Sequence, residues 1–139
     1  MIIQNIKKIV NSWFYALNSN MNGMQNLAAD ANREYAQGEY FEQLARQHHQ
    51  ELLQHSRLTS TPSDLSLHDN RNAMWSFLSA ALRGHRDAQY KLGISYLNGT
   101  LGLDKNYAHA EEWLKKAAKQ GHHEAQTTLE KAYSQLAFS

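Results

Sequence analysis

The 139-residue chain carries 14 lysines and arginines against 13 aspartates and glutamates, a balance that supplies no electrostatic footprint for nucleic acid or for an anionic membrane. The absence of cysteine excludes disulfides and thiolate metal sites, but it does not fix the compartment, because many exported proteins also lack cysteine. One proline and seven glycines leave little room for a turn-rich β fold. At this length roughly two-thirds of the unfolded surface can be buried, so a single small all-α domain over residues 1–139 is expected.

At the N-terminus, Lys7 and Lys8 precede the run Ile9 to Leu17, which has the outline of a secretion signal. Asn11 and Ser12 interrupt it, however, and Asn18 to Asn20 make a poor cleavage site. Ile2, Ile6, Ile9, Val10, Trp13, Phe14 and Leu17 recur at three and four residues, which predicts an intact amphipathic helix packed on the rest of the domain. The stretch is too short and too polar to span a bilayer. Cytoplasmic residence follows, with the periplasm or the exterior as the alternative.

Residues Gln25 to Ser56 read as two further helices. The first carries Ala28, Ala31 and Tyr35 and ends near Gly38; the second runs from about Glu39 to His55 with Tyr40, Leu44 and Leu52 or Leu53 on one face. Tyr35 and Gly38 echo Tyr96 and Gly99, a trace of a degenerate repeat in residues 1–56. Around Pro62, residues 57–69 form the one obvious linker loop, ahead of a C-terminal half over 70–139.

That half is written twice. Ala73, Ala80, Ala81, Gly84, His85, Ala88, Gln89, Leu92 and Tyr96 recur as Ala110, Ala117, Ala118, Gly121, His122, Ala125, Gln126, Leu129 and Tyr133, all 37 residues on. Such a unit buries its apolar face only by stacking on neighbours. The alanine pairs let helices approach to ~8 Å. Gly84 and Gly121 follow runs of helix formers, where a left-handed residue ends a helix, and Asp87 and Glu124 favour the start of the next. The unit is helix, tight turn, helix.

From Ala88 to Tyr133 the pattern resembles the Sel-one-like repeat, a relative of the tetratricopeptide repeat. Ala88-Gln89, Leu92-Gly93, Tyr96, Gly99, Gly102-Leu103, Tyr107, Ala110, Trp113, Ala117-Ala118, Gln120-Gly121, Ala125-Gln126, Leu129 and Tyr133 carry the likeness, which covers residues 69–135. Thr100 and Leu101 separate two glycines that the family usually spaces by one residue. Asn106 stands where Asp is common, with Asp69 at the equivalent place one repeat earlier. Trp75 sits one position before the equivalent of Trp113, which is Ser76, and Glu130 replaces the glycine seen at Gly93. The resemblance implies a short α-solenoid of helix-turn-helix repeats, here with an N-terminal helical extension and six or seven helices in all. It also implies a bacterial adaptor or scaffold in signalling, envelope or secretion processes.

Candidate chemistry is sparse. His48, His49 and His55 share one predicted helix and His122-His123 a turn, but no His-Glu-x-x-His spacing exists and no metal or cofactor is expected. His85-Arg86-Asp87 spells a fragment of a kinase catalytic loop without the downstream Asn or a glycine-rich phosphate loop. The histidines with Glu51 are the basis of a competing reading, a hydrolytic or peptidoglycan-related enzyme; the polar residues do not converge, and no enzyme is expected.

The first helix of each pair lines the concave face of such a solenoid, so Tyr90, Lys91, Ile94, Leu97, Thr127, Thr128 and Lys131 are the candidate partner-binding residues. The alternative is that the N-terminal helix folds back over Ile94 and Leu97. At the C-terminus, Tyr133, Leu136 and Phe138 continue an apolar face where a solenoid normally ends in a polar one, a surface for a partner or for a homodimer. The expected function is non-catalytic protein binding. A narrower version is an immunity protein that covers the active site of a cognate toxin.

Overall fold

The computed structural model describes residues 2–55 and 64–136. Among them are five α-helices and no strand: α1 (Ile2–His55), α2 (Asp64–Leu82), α3 (Arg86–Asn98), α4 (Tyr107–Lys119) and α5 (His123–Leu136). The all-α, repeat-built class expected from the sequence is the class observed. The helix count is lower because the three helices expected before residue 56 are one, 54 residues long and about 81 Å from end to end. No proline occurs before Pro62, and an interior glycine costs a helix only about 1 kcal/mol, too little to break it at Gly23 or Gly38. The expected linker is shorter as well: residues 64–69 are the first turns of α2. Asp69 therefore sits inside a helix, 8% exposed, where its carboxylate meets His48 Nδ1 at 2.7 Å.

The two halves of α1 live in different surroundings. From Asp30 onward the helix packs antiparallel to α2. Arg83 reaches Asp30 at 3.4 Å, the ring of Phe77 lies over Gly38, and the hydroxyl of Ser66 donates to the carbonyl of Ala45. Between Gln4 and Ala29 every described side chain is exposed, so the N-terminal helix is not packed on the domain and does not fold back over Ile94 and Leu97.

The main core joins α2, α3 and α4 through Ala73, Phe77, Ala80, Ala81, Ala88, Leu92, Leu101 and Trp113, with Tyr35 and Phe41 of α1 against it. Leu101 has a left-handed φ of 57°, a conformation that costs a β- or γ-branched side chain on the order of 1 kcal/mol. Its side chain is 7% exposed, so the additional residue between Gly99 and Gly102 plugs the core where α3 turns into α4. Asn106 caps α4, its side chain accepting from the backbone N–H of His109 at 3.0 Å, and so fills the role of the more usual Asp. Trp113 is buried, whereas Trp75, one position out of phase, is 58% exposed.

Candidate functional site

Three contacts of α3 with α4 recur between α1 and α2. Gly93 lies under Leu114, so close that a Cβ would come 2.6 Å from the Leu114 side chain; Gly38 lies under Phe77 with the same 2.6 Å, and Phe77 precedes Leu114 by one repeat of 37 residues. Tyr90 stacks on His122 with ring centroids 4.2 Å apart, and Tyr35 stacks on His85 at 4.4 Å. Gln120 donates to the side-chain oxygen of Gln89 at 2.8 Å, where the first unit instead holds Arg83 Nε 3.2 Å from Glu34 Oε2, an ion pair off the hydrogen-bond angle. Residues 30–52 of α1 thus pack on α2 with the contacts that α3 makes to α4, and the pair is called the first unit. Gly38 corresponds to Gly93 and Tyr35 to Tyr90, not to Gly99 and Tyr96 as the sequence echo suggested.

By the same register α5 opens a third unit. Gln126 donates to the carbonyl of Ala118 at 3.4 Å as Gln89 does to that of Ala81 at 3.1 Å. The imidazole of His122 accepts from the backbone N–H of Ala125 as that of His85 accepts from Ala88. Burial lowers the pKa of His85 below the ordinary 6.5, which suits an Nδ1 that accepts a hydrogen bond. Among the described residues no second helix covers α5.

Beside α5 lies a groove of about 490 Å³ between the end of α3, α4 and α5. Leu97, Leu114 and Leu129 form its floor with Ala110 and Ala132, and Tyr107 and Tyr133 stand at its sides, both exposed. The Tyr133 hydroxyl donates to Glu111 at 2.6 Å. Lys115 first, and then Tyr133, hold the Glu111 carboxyl below its ordinary pKa, so one rim of the groove carries a carboxylate paired with Lys115.

Of the residues expected to bind a partner, Leu97 lines this groove, as does Tyr133 of the expected C-terminal apolar face. Tyr90 and Ile94 are half-buried and pack against Leu114 and Ala117 of α4 and Ala125 of α5, so the face that looks open on α3 alone is covered. Lys91 is tied to Glu42 of α1 at 2.7 Å. Thr127 and Thr128 donate to carbonyls of their own helix, and Lys131 is exposed. Phe138 and the side chain of Leu136 lie outside the described residues. Tyr107, Leu114, Leu129 and Ala132 are not among the residues expected to bind a partner; Tyr107 and Leu129 read in the sequence only as residues of the repeat pattern.

A second, more polar concavity of about 290 Å³ is lined by Glu42, Arg46, His49 and Asn70 among others. Glu42 already pairs with Lys91 and with Arg46. Among the described residues no group of three or more His, Asp and Glu side chains could hold a metal ion, and no helix is long and apolar enough to cross a membrane.

Residues 86–122, one full period, match the Sel1 repeat family model. The Sel-one-like resemblance is thereby shown over α3, α4 and the turn into α5. Sel1 repeats generally act as non-catalytic modules for contacts between proteins. No curated protein and no solved structure shows a significant match to the chain.

Proposed function

We propose that the protein is a non-catalytic adaptor or scaffold that receives an amphipathic helix of a partner protein in the groove between α4 and α5. The observation that carries this reading is the open, largely apolar groove beside α5, lined by Leu97, Leu114, Leu129 and Ala132. An apolar groove of this kind is satisfied by a helix with anchors at three- and four-residue spacing. The face of α5 equivalent to the one that α4 packs on differs at several places, Thr127, Glu130, Lys131 and Ser134 standing for Tyr90, Gly93, Ile94 and Leu97. Glu130 stands where Gly93 lets Leu114 approach, so an incoming helix meets a carboxylate instead of a notch. A helix with leucine-sized anchors toward Leu97 and Leu129 fits this groove better than a further copy of α4.

The test is affinity capture of the intact chain from its native lysate beside a Leu129→Asp, Ala132→Asp variant. The expected result is one or more stoichiometric partners retained by the intact chain and lost by the variant, both proteins having the same helical content. Retention of the same proteins by both would overturn the groove as the site. A single tight partner with toxic activity would narrow the role to that of an immunity protein, whereas several weaker partners would mark an adaptor. The hydrolytic alternative has no convergent constellation among the described residues.

A further inference from the structure

We infer that the exposed N-terminal half of α1 is a dimerisation arm, which pairs antiparallel with the same arm of a second copy. This inference is independent of the groove. Residues 4–29 project beyond the repeats as about 39 Å of helix with Ile6, Ile9, Val10, Trp13, Phe14, Leu17, Met21, Met24 and Leu27 all exposed. At roughly 100 Å² each, these nine side chains offer about 900 Å² of apolar surface, above the ~800 Å² per partner of a standard interface. Isolated apolar faces of that size mark interaction surfaces.

The occupant is argued from the phase of the stripe. Ile6, Val10, Trp13, Leu17, Met24 and Leu27 follow the alternating three- and four-residue spacing of a coiled-coil seam. Continued along α1, the same seam runs through Ala31, Glu34, Gly38, Phe41, Ala45 and His48, the side that packs on α2. One continuous seam is therefore covered by a helix from residue 30 onward and bare before it, and the bare part has the geometry of the covered part.

The seam is also self-complementary. With the two chains antiparallel about a twofold axis near residue 15, Trp13 meets Leu17 of the second copy, Ile6 meets Met24, and Val10 meets Asn20, the one polar seam position. Lys7 and Lys8 are the only charged residues between 4 and 29. This register separates each Lys7 from its mate by about 24 Å, whereas a parallel pair would set them side by side. It also keeps the repeats apart at opposite ends, since the overlap ends near Asp30, where α2 begins to cover α1. Two lysines on a polar face of asparagine and serine supply little attraction to anionic lipid, about 1 kcal/mol each, so a second copy is favoured over a membrane surface.

Sedimentation equilibrium of the intact chain tests the inference, with the Val10→Asp, Trp13→Asp variant alongside. The intact chain is expected to be a dimer, and the variant a monomer whose association is weaker by more than about a hundredfold while its repeats melt at the unchanged temperature. Because the chain has no cysteine, single introduced cysteines report the direction. Ala16→Cys should cross-link to itself, and Ile6→Cys should cross-link to Met24→Cys but not to itself. A monomeric intact chain, a dimer that survives the double variant, or self-cross-linking through Ile6→Cys would each overturn the proposal. So would a monomer that binds vesicles of phosphatidylcholine and phosphatidylserine through this stretch.

Discussion

The first unit, residues 30–52 with α2, and the second, α3 with α4, reach the same packing from different side chains. Each sets a bulky apolar residue into a glycine notch and stacks a tyrosine on the histidine that caps the next helix. Each also bridges its two helices by a polar pair, Glu34 with Arg83 in one and Gln89 with Gln120 in the other. The contrast teaches which parts of the unit are fixed by geometry. The notch and the ring stack recur as shapes, whereas the bridge tolerates a change from neutral amides to ions. α5 shows what the same scaffold exposes where no helix among the described residues covers it.

The strongest way to break the comparison is to empty the notches. Phe77→Ala should cost ~3–5 kcal/mol and Leu114→Ala ~2–5 kcal/mol in chemical denaturation, both residues being among the largest that are fully buried. A Phe77→Ala protein that unfolds at an unchanged midpoint would show that α1 and α2 do not pack as α3 and α4 do.

Filling the notches is the next largest effect. Gly38→Ala and Gly93→Ala should each destabilise by a net ~1–3 kcal/mol, although alanine favours a helix by about 1 kcal/mol. A second change, Phe77→Leu, should restore part of the loss at Gly38 and none of the loss at Gly93.

The bridges sharpen the comparison. Gln89→Ala removes a buried amide that joins Ala81 to Gln120 and should cost ~1–3 kcal/mol. The pair Glu34→Gln, Arg83→Gln gives the first unit the chemistry of the second, and stability should then stay within ~0.5 kcal/mol.

The smallest effect is on pH dependence. His85 is held below the ordinary 6.5 by burial, so the unfolded chain binds its proton more tightly than the folded one. Its contribution to stability is complete above pH 6.5 and declines as pH falls from there through the lowered folded value. His85→Asn keeps an N-cap acceptor for Ala88 and should flatten the slope of melting temperature against pH in that window.

Much of the second unit was legible in the sequence because its signals are local. Gly84, Gly99 and Gly121 adopt the left-handed φ that a helix-ending glycine implies, and the alanine pairs lie in the core. The first unit was hidden because its helices are joined by a longer segment: Gly38 precedes Phe77 by 39 residues and Gly93 precedes Leu114 by only 21, so no single offset aligns both. The length of α1 was hidden for a different reason. Gly38 reads as a turn residue until Phe77 is seen above it. The burial of Tyr90 and Ile94 was not legible because both look free on an isolated α3, and only the positions of α4 and of the turn at His122 cover them.

The most direct test of the account is hydrogen exchange, followed by mass spectrometry, of the intact chain with and without the partner captured through the groove. Saturation with partner should slow exchange in α5 and in residues 107–114 of α4, with α1 and α2 unchanged. Slowing confined to α1 and α2, with α5 exchanging as before, would contradict the claim that the groove beside α5 is where this protein binds.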